Sequence, residues 1–177
     1  MNKRLFNIRV AEQSDLRSVA EVQSKAVITA YPAVLPPGVF DPEFVAPEKL
    51  ELEYESLFAD LGSDGEILVA CDDAQIVGIC TYGSDTELAV PGVGYVQRVY
   101  VDPDWWNLGI ASALVDRALE LLSDRGFKQA ALQVLENNLK ARAFYEKRRW
   151  RYDRLVRVKV VGNELRYTKS LTTRAVD

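Results

Sequence analysis

Apolar positions along this chain change period several times, and each change marks an element. Leu5-Phe6-Asn7-Ile8-Arg9-Val10 alternates and predicts a first strand. Ser14-Asp15 offers a helix cap, after which Leu16, Val19, Ala20, Ala26, Val27 and Ala30 fall at helical spacing as far as Tyr31-Pro32. The proline-rich stretch from Tyr31 to Gly38 reads as an ordered loop. Pro47 suits the first position of a second helix, whose face carries Leu50, Tyr54, Leu57, Phe58 and Leu61 until Gly62-Ser63-Asp64-Gly65 breaks it. Glu66 to Cys71 and Gln75 to Tyr82 are apolar runs around Asp72-Asp73-Ala74, which predicts a hairpin, and Asp85, Thr86 and Glu87 follow in a loop.

The stretch from Val96 to Leu114 is the most informative. Val96, Val99 and Val101 form a β-branched strand that Asp102-Pro103 ends, because proline cannot donate to a sheet ladder. From Leu108, after a short turn with one glycine, the period becomes helical. Ile110, Leu114, Ala118 and Leu121 make one stripe, with Ala111, Val115, Leu119 and Leu122 beside it. A turn aimed into a helix N-terminus presents unpaired N–H groups and partial positive charge, which suits phosphate. Gly126 is placed to end this helix. Gln129 to Leu135 reads as a strand and Asn138 to Lys147 as a short helix with Ala141, Phe144 and Tyr145. Val156 to Val160 alternates into a tight turn at Gly162-Asn163, and Leu165 and Tyr167 return as a last strand. The order β-α-α-β-β-β-α-β-α-β-β contains no repeat or linker, so one mixed α/β layer structure over residues 1–177 is expected.

Composition narrows the chemistry. The chain has 177 residues and a net charge of -4, which gives no global attraction to nucleic acid or acidic lipid. No apolar run is long enough to span a membrane, and Met1-Asn2-Lys3-Arg4 leads into no signal-like core, so a cytoplasmic protein is expected. There is no histidine, which excludes Ser-His-Asp and Cys-His nucleophile systems and every histidine-bearing metal site. Cys71 and Cys80 are the only cysteines. Each lies in an apolar run and is expected to be a buried free thiol, and no metal site is expected.

Two motifs carry a family resemblance. Val99-Tyr100-Val101-Asp102-Pro103 followed by Trp106-Asn107-Leu108-Gly109-Ile110-Ala111 resembles the pyrophosphate-binding motif of the GNAT superfamily of acyl-CoA-dependent N-acyltransferases, Arg/Gln-x-x-Gly-x-Gly/Ala. Asn138-Leu139-Lys140-Ala141-Arg142-Ala143-Phe144-Tyr145-Glu146-Lys147 is similar to that superfamily's Asn-x-x-Ala-x-x-Phe-Tyr-Glu-Lys helix. The resemblance in element order runs from Leu5 to about Leu171. It implies a GNAT-like α/β (α+β) fold: a mixed, mostly antiparallel sheet of about seven strands with about four helices on both faces. Four residues depart from the pattern. Trp106 stands where the family has Arg or Gln, and Asn107 where it often has Gly. Arg149 stands where a glycine commonly follows the second helix, and Tyr95 where some relatives carry a catalytic glutamate.

The resemblance implies an acetyl-CoA-dependent N-acetyltransferase that uses direct attack by an amine. Val99, Tyr100 and Val101 would bond the pantetheine arm through the main chain. Trp106, Asn107, Leu108, Gly109, Ile110, Ala111 and Ser112 would take the pyrophosphate. Asn138 and Ala141 would complete the cofactor side, and Tyr145 would also protonate the departing sulfur. Taken alone, Gly109 equally suits close helix–sheet packing, Asn138 an N-cap, Tyr145 a core aromatic and Arg142 a solvated face. Glu87, with Asp85 and Glu136, is a candidate base or substrate contact. The acceptor would be a small-molecule or peptide amine, with acceptor recognition on the first two helices, the Tyr31–Gly38 loop, the Asp85–Glu87 loop and the C-terminal hairpin. A homodimer is what the family suggests. A different class, an acyl-CoA-binding or sensory module on the same fold, is motivated by the altered turn and the missing glutamate.

Overall fold

The computed structural model describes residues 6–60, 65–84 and 90–172. Expectations that fall on Leu5, on Leu61 to Asp64 and on Asp85 to Glu87 lie outside them. Along the chain come β1 (Asn7–Val10), α1 (Leu16–Ala30), α2 (Pro47–Asp60), β2 (Glu66–Asp72), β3 (Gln75–Ser84) and β4 (Val93–Val101). Then follow α3 (Ile110–Asp124), β5 (Gln129–Leu135), α4 (Leu139–Lys147), β6 (Arg151–Lys159) and β7 (Gly162–Ser170). The element order is the expected one. One seven-stranded sheet has the order β1-β2-β3-β4-β5-β7-β6, and only β4 and β5 pair in parallel.

Alternation along the strands sends side chains to two cores. Leu68, Cys80, Tyr82, Val96 and Val101 pack with Ile110, Leu114, Ala118 and Leu122 of α3 and with Tyr145 of α4. Ile67, Val69, Cys71 and Ile79 pack on the other face with Val19, Leu50 and Tyr54 of α1 and α2. Both cysteines are buried and free. α3 lies tight on the sheet because the strands beneath it carry glycines. A Cβ on Gly78 would stand 2.8 Å from Ile110 Cγ2, and one on Gly94 2.5 Å from Leu122 Cδ2 and 3.1 Å from Phe127 Cγ.

Several local expectations are corrected. Asp15 is the N-cap residue of α1 as expected, but its side chain makes no cap bond into that helix. Its carboxylate accepts from Glu12 N–H and from Arg9, closing a short 3-10 turn over Gln13–Asp15 ahead of the helix. The proline-rich loop opens as another such turn, Tyr31–Ala33. β4 starts at Val93 and β6 at Arg151, earlier than alternation indicated; β6 is mostly exposed, so pairing and not burial sets its start. The last hairpin turns at Val160-Val161, since Lys159 already pairs with Gly162 and Val158 with Asn163. Valines rarely fill turns, so the glycine next to the turn was misleading.

β4 holds the feature that positions the site. It pairs with β5 only at Val93↔Gln129, Gly94↔Ala130 and Tyr95↔Ala131, while β5 runs on beside β7 to Leu135. From Val96 to Val101 the β5-facing main chain of β4 therefore has no strand partner among the described residues. On its other side, Thr81↔Arg98 and Tyr82↔Val96 leave Gln97 as a bulge. The extra residue re-phases the strand, so Tyr95 and Arg98 share the α1/α2 face.

Two predictions follow from the packing. Gly94→Ala should cost about 1–3 kcal/mol in urea denaturation, because Leu122 is fully buried and has no room to yield. Burial pushes the Cys80 thiol from 9.0 up to about 12 and the Tyr54 phenol from 10.0 up to about 12. Groups whose folded pKa is raised favour the fold below their unfolded pKa and lose that contribution as pH climbs to the folded value. Stability should thus decline above pH 9 through Cys80 and more steeply above pH 10 through Tyr54, by about 1.4 kcal/mol per pH unit per group. Denaturation midpoints across that range check this, with a shallower fall expected in Tyr54→Phe.

Candidate active site

The turn after β4 is held from three sides. The Asp102 carboxylate, buried at the strand end, accepts from Asp104 N–H at 2.9 Å and from the Lys25 ammonium of α1 at 2.8 Å. Trp106 Nε1 donates to the Val101 carbonyl at 2.7 Å, so the indole is spent on the backbone and its ring covers the strand end. Asn107 and Gly109 adopt left-handed backbone with φ of +64° and +86°. Asparagine is one of the few residues that enters this region at low cost, which explains its presence where the family often has glycine. Arg149, the other replaced glycine, also has positive φ, +65°.

Gly109 is the N-cap of α3 and supplies no side-chain cap, and the first bond into the helix runs from Ala113 N–H to its carbonyl at 3.0 Å. The N–H groups of Ile110, Ala111 and Ser112 are therefore not used inside the helix. A Cβ on Gly109 would meet nothing within 4 Å. Close helix–sheet packing is the work of Gly78 and Gly94, not of Gly109. The backbone here faces open space.

α4 comes to this turn from the other side of the opening. Asn138 caps it, its Oδ1 accepting from Ala141 N–H at 3.1 Å, so the capping role is the one observed. Lys140, one turn position on, places Nζ 4.3 Å from the centroid of the Trp106 ring. α4 thus returns a positive charge to the turn that lacks the family's Arg. At its far end Arg148 bonds Asp116 of α3. Arg142 is engaged with the Tyr167 hydroxyl and the Glu136 carbonyl, both at 3.1 Å, and Glu136 accepts from Asn163 at 3.0 Å. These two side chains serve the C-terminal hairpin.

Tyr145 is buried, edge-on to Phe144 and Trp150. Burial raises its phenol pKa, with Cys80 and Tyr31 adding to the shift and Arg148 opposing it. Cys80 belongs to the α3 face. Tyr31 instead meets Tyr100, whose phenol is held well above its ordinary value by burial and by Tyr31 itself. Tyr145 packs in the α3-face core with Val96, Val101, Ile110 and Val134. On the α1/α2 face, Arg98 lies 5.0 Å from the Tyr54 ring centroid and bonds Glu53 at 3.1 Å. Arg98, Tyr31 and Lys140 were not singled out from the sequence; the signal for Arg98 was a lone charge inside an apolar strand. Glu87 lies outside the described residues.

A model of the acetyltransferase (GNAT) family matches residues 37–149. Over 84 residues the chain is 37% identical to the uncharacterized protein YxbD of Bacillus subtilis (strain 168), covering 48% of each. Over 97 residues it is 27% identical to N-alpha-acetyltransferase 30 of Schizosaccharomyces pombe, covering 54% of this chain and 65% of that one. The chain thus matches less than two thirds of the length of these curated relatives. Among solved structures, PaiA N-acetyltransferase from Thermoplasma acidophilum, in complex with coenzyme A, shares the fold at a TM-score of 0.72 and 19% identity, over 94% of this chain and 99% of that one. The family match takes in the parting strands, the turn between them and α3, and the helix that faces it, and the chain belongs to the acetyltransferase (GNAT) family.

Proposed function

We propose that this chain is an N-acetyltransferase that uses acetyl-CoA and a primary amine of a small molecule or peptide, with direct attack and no covalent enzyme intermediate. The observation that carries the reading is the opening of β4 from β5 beyond Tyr95, followed by the Trp106–Gly109 turn, with Tyr145 packed in the same core as Val96, Val101 and Val134 of the two strands. The residues present fit the co-substrate. The space over Gly109 is free, three helix N–H groups beside it are uncommitted, and Lys140 adds a cation.

Acetyl-CoA supplies an acetyl group activated as a thioester. Main-chain groups of Val99, Tyr100 and Val101 on the unpaired side of β4 bind the pantetheine arm, and an N–H there polarises the carbonyl. The Trp106–Ser112 backbone holds the pyrophosphate, with Asn138 and Ala141 at the start of α4 flanking the arm. Tyr145, kept protonated by burial, gives its proton to the departing sulfur. Glu87 is the proposed base or substrate contact. A cysteine nucleophile is disfavoured, because burial pushes the Cys80 thiol up to about 12 and also raises Cys71.

Tyr145→Phe should lower kcat by about 10²-fold or more in a CoA-release assay, with KM for acetyl-CoA kept within about threefold. An unchanged kcat removes Tyr145 from the chemistry. Acetyl-CoA binding without CoA release across a broad amine panel would favour the sensory module instead. Lys140→Ala should raise KM for acetyl-CoA about tenfold at low salt and less at high salt, with kcat kept. Steady-state kinetics at two ionic strengths check it.

A further inference from the structure

Buried polar atoms without partners are rare, and each calls for an explanation. Among the described residues, five side chains carry one: Thr81, Tyr95, Arg98, Arg148 and Trp150. Three of the five lie together. Thr81 of β3 stands directly opposite Arg98 of β4, so their side chains share one face of the sheet. That face is the α1/α2 one, because Ile79 and Tyr100, each two residues away, pack there. The bulge at Gln97 turns Tyr95 to the same side, opposite Gly83, which contributes no side chain.

Thr81 and Tyr95 are well removed from water, and Arg98 is half-buried. Thr81 is 0% exposed and Tyr95 5% exposed; the Thr81 hydroxyl has no hydrogen-bond partner and the Tyr95 O–H no acceptor among the described residues. Arg98 spends Nη2 on Glu53 at 3.1 Å, while its buried Nη1 has no partner. A second guanidinium, Arg166, held by Asp153 at 2.6 Å, stands beside Tyr95. Two hydroxyls and a guanidinium N–H are all able to donate, and no carboxylate but that of Glu53 answers Arg98.

We infer that this face recognises a carboxylate, and that the acceptor is an amine that also carries a carboxylate, such as an amino acid. The inference rests on the acetyltransferase reading and names its substrate class. The placement fits: β4 presents Arg98 and Tyr95 on one face while its free edge borders the gap between β4 and β5. A carboxylate accepts several hydrogen bonds at once and takes charge-assisted ones from a guanidinium. With the acid group anchored there, the amine of the same molecule is held toward the thioester. A site built to donate to a carboxylate discriminates strongly against an analogue that lacks it, because its buried donors then stay unpaired.

The test compares matched acceptors by CoA release with saturating acetyl-CoA: a set of amino acids, their carboxamides and the amines left by decarboxylation. The wild-type protein should show kcat/KM at least about tenfold higher for the acids. Arg98→Met should abolish that preference and leave KM for acetyl-CoA unchanged, and Arg98→Lys should restore part of it. A residue that merely pinned α2 through Glu53 would lower activity on all acceptors alike and leave the ratio intact, which overturns the inference. Equal turnover of acids and carboxamides by the wild type overturns it without needing any variant to fold, and leaves acetyl transfer standing. No CoA release from any acceptor overturns acetyl transfer and this inference together.

Discussion

Three residue pairs join β4 to β5, and the rest of the site is arranged around the point where that pairing stops. A strand whose ladder ends early leaves N–H and C=O groups with nothing to bond, a condition that buried backbone does not tolerate for long. Here the free edge runs from Val96 to Val101, and the chain brings to it a helix N-terminus on one side and α4 on the other. α3 holds its position because Gly78 and Gly94 let it sink onto the sheet. α4 is fixed to it through Arg148 and Asp116. The opening is therefore rigidly framed, although its own edge is unsatisfied.

The two faces of the sheet divide the work. On the α3 side are the turn, Lys140 and the uncommitted N–H groups. The α1/α2 side holds a set of buried aromatics, with Arg98 among Tyr54 and Tyr100. Lys25 links the halves mechanically, since it leaves α1 to bond Asp102 at the root of the turn.

Much of this was legible in the residues. Periodicity placed every helix and strand in order, because each buries one face and reports its period. Gly109 and the Asn138–Lys147 helix pointed to the candidate site. Boundaries were less legible where hydrogen bonding and not burial sets them, as at β6, whose exposed edge carries little apolar signal. Arg98, Thr81 and Tyr95 were hidden for another reason. Which face a strand residue takes depends on its register, and the bulge at Gln97 shifts that register by one. No reading of β4 alone reveals it. The partner of Trp106 was hidden too, since Lys140 reaches it only after α4 has folded back.

Asn107 and Arg149 occupy left-handed backbone where their relatives commonly have glycine. This chain makes a left-handed bend at both places with other letters in it. At such positions a family signature is a specification of dihedral angles, and glycine is only its cheapest spelling. A chain can drop the letter and keep the angle, at a cost of about 1 kcal/mol absorbed by the surrounding structure. Comparing motifs by torsion rather than by residue name would group this chain with its relatives at the two places where its spelling sets it apart.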